Sequence, residues 1–102
     1  MHNQYWRDSE WAKINSTEDI EIILRNIING IEYVNKLCSD GKAHIEDTQP
    51  ILDDFERFDL GIRKLRLLKI INDVDEKKYL KIREDYNEKL KWLNTRIMCS
   101  RD

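Results

Sequence analysis

The sequence predicts an all-α protein, and three observations carry that prediction. Its 102 residues include one proline and three glycines, which leaves little room for hairpins, tight turns or glycine-rich phosphate loops. Charged side chains make up 37% of the chain beside 40% hydrophobic ones, and the mean hydropathy of -0.74 confines the apolar residues to narrow stripes. Those stripes repeat every three or four positions, the spacing that gathers side chains on one face of a helix. A chain this short supports one modest core, burying roughly 60–65% of its unfolded surface. The expected architecture is a single domain over residues 1–102. It comprises a short N-terminal element and three long amphipathic helices in an antiparallel up-down-up bundle or a coiled-coil-like arrangement.

Residues 1–15 form the N-terminal arm or short helix. They carry Tyr5, Trp6, Trp11 and Ile14, and Ser9 suits the cap of a turn from Glu10 to Lys13. The first long helix is expected over 17–38. Ser16 supplies its N-cap, and Glu18 and Asp19 place carboxylates where free amides and the helix dipole favour negative charge. Ile20, Leu24, Ile27, Ile31, Val34 and Cys38 make its seam, and Gly41 suits the left-handed residue that closes it.

After a loop from Lys42 to Gln49, Pro50 fits the first turn of a second helix over 49–72. One seam of that helix is Ile51, Phe55, Phe58, Ile62, Leu65 and Leu68. Leu52, Leu60, Leu67, Ile70, Ile71 and Val74 project elsewhere, so the helix has two apolar sectors. Gly30 and Gly61 sit inside helical patterns and mark places where helices cross closely or bend. The third helix is expected over 74–99, capped by Asp73 with Glu76. Tyr79, Ile82, Tyr86, Leu90, Leu93 and Ile97 form its seam, with Leu80, Trp92 and Met98 on its flanks, and Trp92 reads as packing at the core edge.

The formal charge of -2 gives no overall drive toward nucleic acid or an anionic membrane. Within the second helix region the charge is uneven. Glu46 to Asp59 holds six acids against Arg57, whereas Gly61 to Asn72 holds only the bases Arg63, Lys64, Arg66 and Lys69. Acids early and bases late complement the helix dipole. The alternative makes those four bases a patch for nucleic acid or an acidic partner.

Glu18 with Glu21, and Glu56 with Asp59, place carboxylates three apart on helical faces, a spacing suited to Mg²⁺. These four acids resemble the paired ExxE and ExxD helices of all-α nucleoside triphosphate pyrophosphohydrolases of the MazG type. The resemblance implies metal-dependent release of pyrophosphate with Glu18, Glu21, Glu56 and Asp59 as the catalytic carboxylates. It covers those four residues alone.

Other chemistry finds little footing. His44 reads as a loop histidine beside Glu46 and Asp47, and His2 lies at the terminus. No GxSxG, GxGxxG or GxxxxGK[ST] occurs. Cys38 and Cys99 belong to no CxxC and are expected as reduced thiols near one end of the bundle. The start of the chain has no apolar export segment, so the expected location is intracellular, in the cytoplasm or that of a host cell, and not secreted.

The leading expectation is a non-enzymatic interaction module, an adaptor, inhibitor or assembly subunit, with another protein or a second copy as partner. Neither cofactor nor metal is expected, and neither nucleic acid nor membrane as partner. Its binding residues are expected to be Tyr5, Trp6, Trp11, Leu60, Leu67, Ile70 and Ile71, because the second helix has more apolar perimeter than one seam uses and the aromatics lie outside the seams; the equal alternative for the N-terminal aromatics is a cap folded back over an open end of the bundle.

Overall fold

A computed structural model describes residues 4–100. Four α-helices run through them: α1 (Gln4–Lys13), α2 (Thr17–Ser39), α3 (Gln49–Leu67) and α4 (Asp73–Ser100), with a 3₁₀ turn at Ile45–Thr48 ahead of α3. No strand occurs among the described residues, and the chain is all-α.

Local chemistry sets most of these boundaries. α1 begins earlier than the Ser9 cap suggests, at Gln4, and so becomes a three-turn helix. At the start of α2 the backbone N–H of Ser16 donates to Asp19 Oδ2 at 3.1 Å, satisfying an amide that helix geometry leaves without a partner. The end of α2 is a Schellman turn: Gly41 adopts φ +70, its N–H reaches the Cys38 carbonyl, and the Lys42 N–H reaches that of Leu37. Pro50 sits in the first turn of α3, where its missing N–H costs nothing.

Two expected boundaries move. The second helix was expected to reach residue 72, yet α3 ends at Leu67 in another Schellman turn. Lys69 takes the left-handed position at φ +60, and the N–H groups of Lys69 and Ile70 bond the carbonyls of Arg66 and Leu65. The cap of α4 also lies one residue earlier than Asp73 and Glu76 predicted. Asn72 and Asp75 exchange backbone-to-side-chain hydrogen bonds of 2.9 and 3.3 Å, leaving Asp73 and Glu76 for Arg66.

α3 occupies the centre of the arrangement. Ile20 and Ile14 meet Gly61, and Ile51 meets Gly30, so α2 and α3 run antiparallel with a glycine notch in each receiving an isoleucine of the other. α4 returns parallel to α2, as Arg96 bonds Asn35 and Ser39 near the ends of both helices. α1 lies along the remaining flank of α3, where Lys64 Nζ donates to the Trp11 carbonyl at 2.8 Å. The result is a flattened body of 48 × 30 × 16 Å.

The core gathers the expected seams. Ile20, Ile27, Val34, Ile51, Phe58, Leu65, Leu93 and Ile97 are almost wholly buried, and the seam residues Tyr79, Ile82 and Tyr86 pack against them half-buried. Burial, then the charges of Glu21 and Asp75, push the Tyr79 phenol above its ordinary pKa. Trp92, expected as edge packing, is instead 58% exposed beneath the Arg96 guanidinium. Cys38 is buried, Cys99 is exposed, and both thiols are free. No described helix is long and apolar enough to cross a membrane.

Candidate interaction surface

The turn that ends α3 decides which aliphatic residues face water. In a continued helix Leu68 would join the seam of Leu65, and Ile71 would project with Leu67. The left-handed Lys69 reverses the chain and exchanges the two: Leu68 is 57% exposed, whereas Ile71 is 3% exposed and belongs to the core. Ile71 therefore drops out of the expected binding set, and Leu68 out of the expected seam. Leu67, Leu68, Ile70 and Val74 remain, exposed together within eight residues around the corner.

A cleft of about 440 Å³ lies beside this corner between α3 and α4, lined by Asp59, Ile62, Arg63, Arg66, Leu67, Glu76 and Leu80. It exists because the α3–α4 contact relies on ions more than on aliphatic interdigitation. Arg83 forms a bidentate pair with Asp59 at 2.6 and 2.9 Å and covers the Phe55 ring, while Arg66 bridges to Asp73 and Glu76 at 2.5 and 3.1 Å.

The opposite flank of α3 carries α1. Arg57 bonds Asp54 at 2.7 Å, meets Glu10 at 3.3 Å and lies 5.2 Å from the Trp6 ring centre. Burial pushes the Asp54 carboxyl above its ordinary pKa despite the adjacent cation. Burial also opposes the charge of Arg57, but its hydrogen bonds to Asp54 and Glu10 outweigh that and leave its pKa raised. Trp6 and Trp11 are half-buried against α3, whereas Tyr5 is 82% exposed. Of the three aromatics expected to contact a partner, two thus spend most of their surface docking α1. Leu60 is half-buried as well, at the edge of a second cleft of about 480 Å³ between α1 and α3.

The four bases, Arg63, Lys64 and Arg66 on α3 and Lys69 in the turn after it, differ in their surroundings instead of forming one free patch. Arg66 is held by its two acids, and Lys64 donates to the Trp11 carbonyl and Asn15 Oδ1. Arg63 and Lys69 point to solvent, with no ion pair among the described residues.

The four carboxylates of the pyrophosphohydrolase reading do not converge. Arg7 holds Glu56 at 3.0 Å, Arg83 holds Asp59, and Glu18 and Glu21 lie exposed on α2. Among the described residues no group of three His, Cys, Asp or Glu side chains is placed to hold a metal ion. That includes His44, whose backbone N–H donates to Asp47 Oδ2 at 2.8 Å to open the 3₁₀ turn. The helical spacing was real, but Glu56 and Asp59 are taken up by two different arginines, while Glu18 and Glu21 stay exposed with no ion pair among the described residues.

The sequence reading missed Arg7 and Arg83, whose roles depend on partners 49 and 24 residues away, and it gave Leu68 and Val74 no part in the surface. Comparison with protein-family models, with curated proteins and with solved structures finds no match.

Proposed function

We propose that this chain is a non-enzymatic protein–protein interaction module, an adaptor, inhibitor or assembly subunit, acting inside the cell, in its own cytoplasm or that of a host. The observation that supports this reading is the aliphatic corner: Leu67, Leu68, Ile70 and Val74, within eight residues of sequence, are 68, 57, 45 and 74% exposed. Scattered exposed leucines are ordinary on a protein surface, but four exposed aliphatics within eight residues, the first of them lining a cleft, point to a contact site. The mechanism is burial of this corner against an apolar surface of another protein, with Arg63 and Lys69 orienting it electrostatically.

The test compares the wild-type chain with Leu68→Asp/Ile70→Asp and, separately, Leu67→Asp. These side chains lie outside the core, so circular dichroism and the thermal midpoint are expected to stay close to wild type. Association with partners recovered by affinity capture, after nuclease treatment, is expected to be lost in both variants. Recovery of the same partners by folded variants would overturn the proposal.

A further inference from the structure

We infer that the outward face of α3 is a two-fold contact surface and that its occupant is a second copy of this chain. The inference rests on the interaction-module reading and names the partner.

Opposite the buried Phe58, the outward side of α3 carries Leu52, Glu56, Leu60, Arg63 and Leu67, spaced three or four residues apart. Leu52 and Leu67 are exposed at its two ends, and Leu60 is half-buried at its centre. The charges divide about the same centre. Toward the start, Glu46 makes no ion pair among the described residues, and Asp47 accepts only a backbone N–H. Toward the end, Arg63 and Lys69 make none, and Lys64 reaches only neutral acceptors. On the face itself the starting half thus holds Glu56, with Arg7 beside it, the centre holds Asp59, paired with Arg83, and the closing half holds Arg63, with leucines along it; Glu46 and Asp47 lie in the turn before α3 and Lys69 in the turn after it.

A surface of this kind is complementary to its own reverse. Laid antiparallel on its copy, α3 brings Leu52 opposite Leu67, Glu56 opposite Arg63, and Leu60 beside its own equivalent, and each unlike contact occurs twice around the dyad. Arg63 of the copy reaches Glu56 as a second cation beside Arg7. The opposed helix dipoles favour the same orientation. Foreign partners satisfy only part of this pattern. A nucleic acid or an anionic bilayer matches the basic half and is repelled by Glu46, Asp47 and Asp53, while an acidic peptide leaves the acidic half unpaired.

Light scattering and sedimentation equilibrium on the full chain test the inference, using wild type, Arg63→Glu, Glu56→Arg and an equimolar mixture of the two variants. Wild type is expected to dimerise. Each variant places like charges opposite each other, and its dimerisation is expected to weaken by about 10-fold or more. In the mixture every Glu faces an Arg again, so the heterodimer is expected to recover wild-type affinity. That recovery separates lost pairing from lost folding, because a chain that has lost its fold cannot complete the heterodimer, and circular dichroism checks that both variants stay helical. A wild-type chain that stays monomeric at its highest soluble concentration overturns the inference, as does a dimer indifferent to both reversals or a mixture that fails to recover. A monomer that still captures another protein through Leu68 and Ile70 overturns the homodimer and leaves the interaction-module reading standing.

Discussion

The two long sides of α3 are built on different principles. Toward α2 the contact is steric: Gly30 admits Ile51, Gly61 admits Ile20 and Ile14, and the backbones approach as closely as missing Cβ atoms allow. Toward α4 it is ionic and partly open, with Arg83 and Arg66 spanning to acids across a cleft lined by Leu67 and Leu80. Close packing tolerates no change of volume, whereas exposed ion pairs contribute little individually and adapt to their surroundings. The difference explains how one helix can anchor the fold on one side and keep aliphatic residues available on the other.

Filling a notch is the most severe way to break that contrast. A Cβ on Gly61 would lie 2.4 Å from Ile20 Cδ1 and 3.2 Å from Ile14 Cδ1, both on buried side chains. Gly61→Val adds two further methyl groups to that space, so it is expected to cost about 3 kcal/mol. The thermal midpoint, followed by circular dichroism, is expected to fall by at least ~10 °C. A change within a degree or two would show that the α2–α3 contact yields easily and that the two sides of α3 are alike.

On the ionic side, Arg83→Ala removes both bonds to Asp59 and the cover over Phe55, yet its cost is expected to be only about 1 kcal/mol. Half of the Asp59 side chain already faces water, which screens the pair. Urea denaturation at low and high salt measures this, and the gap between wild type and variant is expected to narrow as salt rises. A loss as large as that of Gly61→Val would mean that the α3–α4 contact is an integral part of the core.

Much of this contrast was legible in the sequence. The three-and-four spacing identified the seams, and Gly30 and Gly61, isolated inside apolar helical patterns, marked the close crossings. Gly41 and Pro50 announced the turn between α2 and α3 because each residue type is suited to its backbone position. The ionic side could not be read in the same way. Arg7 and Arg83 look like any other charge on a solvated face, and their partnerships follow from the register between helices, which no local pattern encodes. The carboxylate pairs Glu18 with Glu21 and Glu56 with Asp59 misled for the same reason, since spacing along a helix says nothing about whether two helices aim their acids at one point.

The end of α3 was the costliest omission, because Lys69 fills a position that the equivalent turn after α2 gives to Gly41. Both turns show the same hydrogen-bond pattern, with φ of +60 at Lys69 and +70 at Gly41. A side chain in the left-handed region costs roughly 1–2 kcal/mol, and what sustains it is the reversal that buries Ile71. Lys69→Gly removes that strain but gives the unfolded chain more freedom, so the net gain is expected to be about 0.5–1 kcal/mol, seen as a rise of a few degrees in thermal midpoint. The side chain is exposed and makes no ion pair or hydrogen bond among the described residues, so no such contact is lost to obscure the effect. Destabilisation would show instead that the Lys69 side chain supports the corner, whose four exposed aliphatics depend on the chain reversing at this residue.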